Sequence, residues 1–110
     1  KSPVSAVMLF DGETGAALAL IEGGSLTAIR TAAASALATD LLARADATRL
    51  LVCGAGEQAR WHIRALREVR ALTEITVWAR DPAKAEAFAA SEGIAAVADL
   101  KAAVAAADIV

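Results

Sequence analysis

Tyrosine is missing from this 110-residue chain, and cysteine, histidine and methionine occur once each. The single cysteine, Cys53, admits no internal disulfide. Its place in an apolar strand pattern predicts a reduced, buried thiol of a cytoplasmic protein, with no catalytic role. Aromatic residues make up only 4% of the chain. Trp61 and Trp78 have no basic groove around them and read as core or interface aromatics rather than platforms for stacking bases. Basic charge is not in excess either: the formal net charge is −2, which leaves no broad cationic surface to neutralise the phosphates of a nucleic acid.

Long apolar runs are lacking as well. The chain is 57% hydrophobic, yet Arg30, Asp40, Arg44 or a glycine interrupts each stretch well within the roughly 18 residues a membrane helix needs. No membrane partner is expected, and no signal peptide is read at the start. The balance is that of one soluble globular domain. Both ends read as cut. Lys1 leads almost at once into a strand pattern, while Asp108, Ile109 and Val110 read as a strand just beginning, so the expectation is a piece of a longer protein.

What is present falls into two parts. Val7 to Phe10 and Ala17 to Ile21 are short apolar runs separated by the turn formers Asp11 to Gly15, which predicts an antiparallel hairpin. Gly23 and Gly24 are expected to break the second strand, and Ser25 or Thr27 to cap a helix running to about Ala45. That helix is rich in small residues (Ala32, Ala33, Ala34, Ser35, Ala36, Ala38), which predicts close approach of another helix or a sheet.

From Arg49 the pattern alternates. Leu50 to Cys53, Ile75 to Trp78, Ala95 to Val97 and Ile109 onward read as strands; Glu57 to Ala71, Pro82 to Ser91 and Leu100 to Ala106 read as helices. Such alternation predicts an α/β fold with a Rossmann-type parallel sheet, right-handed crossovers and helices on both faces. The expected division is residues 1–24 as a hairpin, 25–48 as a connecting helix, and 49–110 as an incomplete nucleotide-binding domain.

The sharpest chemical signal is the stretch Gly54, Ala55, Gly56, Glu57, Gln58, Ala59, which follows a strand and opens a helix. Gly54 permits the tight turn, and Gly56 lets a pyrophosphate approach the backbone. Ala59 keeps the helix close to the sheet, while the free N–H groups of Glu57 and Gln58 face the anion. Selection between NAD and NADP falls to the end of the next strand. Ala79 stands where an acid usually accepts the adenosine ribose, Arg80 offers a planar fork to a 2′-phosphate, and Asp81 with Pro82 starts a helix that brings in Lys84. This reading favours NADP, with NAD as the alternative, because Asp81 is either a helix cap or a ribose ligand. His62, flanked by Trp61 and Ile63, reads as a packed structural imidazole.

From Asp11 onward the chain resembles the ornithine cyclodeaminase and mu-crystallin family, on the hairpin FDGETGAALALIEGG, the helix opening LTAIRTAAASALA, the turn GAGEQA and the strand VWAR. The resemblance implies a two-domain, homodimeric oxidoreductase of amino-acid metabolism whose members cyclise ornithine with bound NAD, reduce cyclic imino acids or ketimines, or oxidise alanine. It also admits a non-catalytic NADPH-dependent binding protein, as mu-crystallin exemplifies. Carried onto this chain, it implies that the hairpin of residues 1–24 belongs to a substrate or dimerisation domain, makes Arg30 the grip on a substrate carboxylate and sets Thr31 toward the cofactor phosphates or substrate pocket. The family's catalytic lysine lies too far upstream of the arginine to be Lys1, and its catalytic aspartate lies beyond Val110. No catalytic residue is therefore assigned here.

Overall fold

The computed structural model describes residues 4–110. Strand β1 (Ala6–Phe10) pairs antiparallel with β2 (Ala17–Glu22), Val7 opposite Ile21 and Met8 opposite Leu20. Asp11 fastens the connecting turn, its carboxylate accepting from the Thr14 amide and hydroxyl, both at 2.7 Å. Every residue of both strands is exposed, as follows for a two-stranded ribbon with no layer packed on it.

Helix α1 (Gly23–Leu42) begins earlier than the sequence suggested. Gly23 and Gly24 do end the strand, as expected, but they are already the first turn of the helix. The cap is Glu22, not Ser25 or Thr27: its carboxylate accepts from the amides of Gly24 and Ser25, both at 2.7 Å. Thr27 instead bonds back to the Gly23 carbonyl at 2.7 Å. Gly23 is buried against Ser5, whose carbonyl takes its N–H at 2.8 Å, and a Cβ there would collide with Ser5.

The small face of α1 buries Ala28, Ala32 and Ala36, one helical turn apart. Its partner is another helix, α2 (Glu57–Val69). Away from that face, Leu37 and Leu41 remain exposed.

Strand β3 (Arg49–Cys53) lies parallel to β4 (Glu74–Trp78), in the register Leu50–Ile75, Val52–Val77 and Cys53–Trp78. Helix α3 (Pro82–Glu92) leads to the short strand β5 (Ala95–Ala96), which pairs parallel with β4. Helix α4 (Leu100–Ala106) then carries the chain back to Ile109, which bridges Leu50 in parallel. The spatial order is thus Ile109, β3, β4, β5. Direction along the sheet reverses beside β3, and right-handed crossovers then set α4 on the face opposite α2 and α3.

The core lies under α2 and α3: Leu50, Ile63, Leu66, Ile75, Val77 and Phe88 pack with Ala59 and Ala89. Leu51, pointing to the other face, is also buried. This is the Rossmann-type arrangement expected from residue 49 on. One burial expectation fails. Cys53 is exposed, because it ends β3 at the carboxyl edge of the sheet, where no element covers it.

Candidate dinucleotide site

At the carboxyl end of β3 the backbone turns through Gly54, whose φ of +131° is a conformation L side chains rarely adopt. The Gly54 N–H donates to the Trp78 carbonyl at 2.7 Å, tying the turn to the end of β4. Gly56 follows with an extended backbone and serves as the N-cap of α2.

How the helices begin distinguishes this turn. Glu22 caps α1, Asp81 caps α3 by accepting from Ala83 at 3.1 Å, and Asp99 caps α4 by accepting from Ala102 at 3.0 Å. Helix α2 has no side-chain cap. Its first N–H groups have no partner among the described residues, the positive end of the helix dipole faces outward, and Glu57 and Gln58 are exposed. A Cβ built on Gly56 meets nothing within 4 Å, so the space over these amides is open. Ala59 points inward and is 8% exposed, which keeps α2 close to the sheet. Free amides, open room and a position at the strand-order reversal together fit a diphosphate.

A cavity of about 390 Å³ adjoins the turn, lined by Cys53, Gly54, Ala55, Trp78, Ala79, Arg80, Asp81 and Lys84. Six of the residues singled out from sequence meet there. Arg80 is exposed and makes no ion pair among the described residues. Lys84 Nζ stands 4.0 Å from Asp81 Oδ2, both side chains more than half exposed, so the pair binds weakly and leaves the lysine available. Asp81 is engaged as the cap of α3.

Sequence reasoning missed Cys53 and Trp78 as lining residues. They are paired in register, and the available signal was their position: each ends a strand at the carboxyl edge from which such sheets present ligand contacts.

Arg30 and Thr31 lie elsewhere. They line a second cleft, of about 410 Å³, with Val7, Leu26, Thr27 and Ala34 between the hairpin and α1. His62 joins α2 to α1 as a structural group. Its Nδ1 lies 2.7 Å from the Gln58 carbonyl and donates to it, and its Nε2 lies 3.1 Å from the Ser35 hydroxyl, which can donate to or accept from it.

Asp108, also overlooked, holds the returning chain in place. Its carboxylate receives a two-pronged contact from Arg49 (3.2 and 3.0 Å), another from Arg44 at 2.8 Å, and the amides of Thr48 and Arg49 at 3.1 and 3.0 Å. The Arg49 guanidinium, helped by those amides, holds the carboxyl well below the usual range.

Residues 1–110 match the ornithine cyclodeaminase/mu-crystallin family. The chain belongs to that family. A Delta(1)-pyrroline-2-carboxylate reductase of Colwellia psychrerythraea is 39% identical over 113 residues, covering 96% of this chain and 36% of the reductase. Among solved structures, the Delta(1)-pyrroline-2-carboxylate reductase of Thermococcus litoralis, in complex with NADH and L-proline, superposes with a TM-score of 0.88 at 37% identity. That match covers 96% of this chain and 35% of the reductase. A lysine cyclodeaminase, solved to explain recognition of L-lysine, L-ornithine and L-2,4-diaminobutyric acid, gives a TM-score of 0.83 at 43% identity, over 96% of this chain and 32% of the other. The chain therefore spans about a third of the length of these family members.

Proposed function

We propose that the intact protein is an NAD(P)-dependent oxidoreductase that reduces a small cyclic imino acid of the ketimine or pyrroline-2-carboxylate type. Residues 49–110 hold the dinucleotide. The observation that chiefly supports this is the uncapped first turn of α2, open beyond Gly54 and Gly56 at the strand-order reversal of a parallel sheet.

In this reading the amides of Gly56, Glu57 and Gln58 bind the pyrophosphate, and Ala55 lines the approach to it. Ala79 leaves room beside the adenosine ribose, while Arg80 and Lys84 bind a 2′-phosphate. Asp81 stays on its helix cap, which favours NADP over NAD. The dinucleotide, when bound, supplies a hydride to the carbon of a C=N bond. Arg30 holds the neighbouring carboxylate with its planar fork, and Thr31 borders the same cleft. The hairpin belongs with the substrate-binding part of the protein, and α1 joins it to the nucleotide unit.

The test is a spectrophotometric assay of the intact protein with NADPH and NADH against pyrroline-2-carboxylate and piperideine-2-carboxylate. Oxidation of the reduced dinucleotide that depends on the imino acid, faster with NADPH, is expected; none with either substrate would refute the proposal. The 43% identity to a lysine cyclodeaminase favours one second reading, cyclisation of a diamino acid with bound NAD. Release of ammonia from ornithine without net change in NADH would identify it.

A further inference from the structure

Arg70 directly follows α2, and its side chain folds back onto the carboxyl end of α1. The guanidinium is 9% exposed and sits among carbonyl oxygens. Nη2 lies 3.0 Å from Thr39 O, 2.9 Å from Asp40 O and 3.0 Å from Ala43 O, and Nε lies 3.3 Å from Arg44 O. Nη1 donates to Asp40 Oδ1 at 2.8 Å and to Val69 O at 2.6 Å. Thr39 O already accepts from the Ala43 N–H at 2.9 Å, but Asp40 O and Ala43 O have no partner within the helix, and a cation suits the negative end of its dipole. A residue of the nucleotide-binding unit thus completes a helix that begins at the hairpin.

The interface between α1 and α2 explains why such a contact matters. On α1 it is built from Ala28, Ala32 and Ala36, whose side chains end at Cβ and present shallow ridges to the facing helix. Apolar packing of that kind opposes separation far more than sliding. Polar contacts must therefore set the axial register, and two do so: Ser35 with His62, and the set made by Arg70. Arg30 precedes Thr39 by nine residues on the same helix, about 14 Å along its axis, so any slip at the Arg70 end is transmitted to Arg30.

We propose that Arg70 is a positioning residue: by filling the carbonyl end of α1 it sets the register of that helix on α2, and with it the placement of Arg30 relative to the Gly54–Ala59 turn. The functional half of this inference rests on the proposed role of Arg30 as carboxylate anchor.

The experiment compares the intact wild-type protein with Arg70→Lys and Asp40→Asn. Lysine keeps the charge, but one ammonium group cannot serve carbonyls spread over Thr39, Asp40, Ala43 and Arg44. For Arg70→Lys the expected result is a Kd for NADPH within about twofold of wild type and a KM for pyrroline-2-carboxylate raised about tenfold. Asp40→Asn keeps the main-chain contacts and should leave both within about twofold. A KM unchanged in Arg70→Lys, or Kd and KM rising together as general loosening would cause, overturns the inference.

A second readout does not depend on catalysis. Spin labels at Ala38→Cys and Glu86→Cys in a cysteine-free background report the distance from α1 to α3. Arg70→Lys should shift or broaden that distribution, and an unchanged one overturns the inference. This holds even if the protein reduces no imino acid, in which case only the proposed function falls.

Discussion

Arg80 follows the end of β4 by two residues, with its charge uncommitted to any ion pair among the described residues, beside a small Ala79 and lining the open cavity. Its neighbour Asp81 is occupied as a cap, so a negative group arriving at this corner meets net attraction. Replacing Arg80 by Ala should weaken NADPH by about 1.5–3 kcal/mol, the range of a charge-assisted contact, and leave NADH nearly unchanged. Calorimetric titration with both dinucleotides checks this, and equal losses would contradict the 2′-phosphate role. Arg30 makes the complementary case. Arg30→Lys preserves the charge and loses the fork, so KM for the imino acid should rise about tenfold or more with the Kd of the dinucleotide unchanged. Steady-state kinetics alongside binding separates the two.

At the scale of elements, the returning chain beside β3 depends on Asp108. That carboxylate joins the loop before β3, the Arg49 side chain and the residue preceding the Ile109 bridge. Its carboxyl is depressed in the folded chain chiefly by the hydrogen bonds of Arg49, so the unfolded chain binds the proton more tightly. The stability Asp108 contributes is therefore complete above the unfolded carboxylate pKa of about 4 and is lost as pH falls below it. Thermal melts from pH 7 downward should show a fall in Tm below about pH 4 in the wild type. Asp108→Asn should start from a lower Tm at neutral pH and lose less on acidification. A variant that melts and titrates like wild type would remove Asp108 from this role.

The elements also show what could be read in advance. The alternation from Arg49 onward was legible because buried parallel strands are short apolar runs and the turns between them carry glycine, proline and aspartate. The glycine turn was legible because its chemistry is local, spanning Gly54 to Ala59. Glu22 as a cap was hidden, since it is both the last residue of a strand and the last acid before two glycines. Cys53 misled for a related reason: the apolar pattern of β3 says which residues are strand, but not where the sheet edge becomes open. The Arg70 contacts join residues 26 to 31 positions apart, and no local periodicity encodes such a separation.

In the whole molecule, the two clefts assigned to cofactor and substrate lie on different elements, and α1 is the part that joins them. The hairpin and the outer face of α1 expose Met8, Phe10, Leu20, Leu37 and Leu41, while the sheet side is well packed. On the sheet side, the free amides over Gly56 are proposed to receive a diphosphate. Gly56 offers a direct test, because its backbone is ordinary extended chain and a Cβ there meets nothing within 4 Å among the described residues beyond its own chain neighbours. The decisive measurement is the quenching of tryptophan fluorescence by NADPH in the intact protein and in Gly56→Val, with Tm recorded for each. Saturable quenching is expected in the wild type, with at least about a hundredfold weaker binding in the variant at an unchanged Tm, since one blocked diphosphate contact is worth about 3 kcal/mol. No saturable binding in the wild type, or equal binding in Gly56→Val, would contradict it.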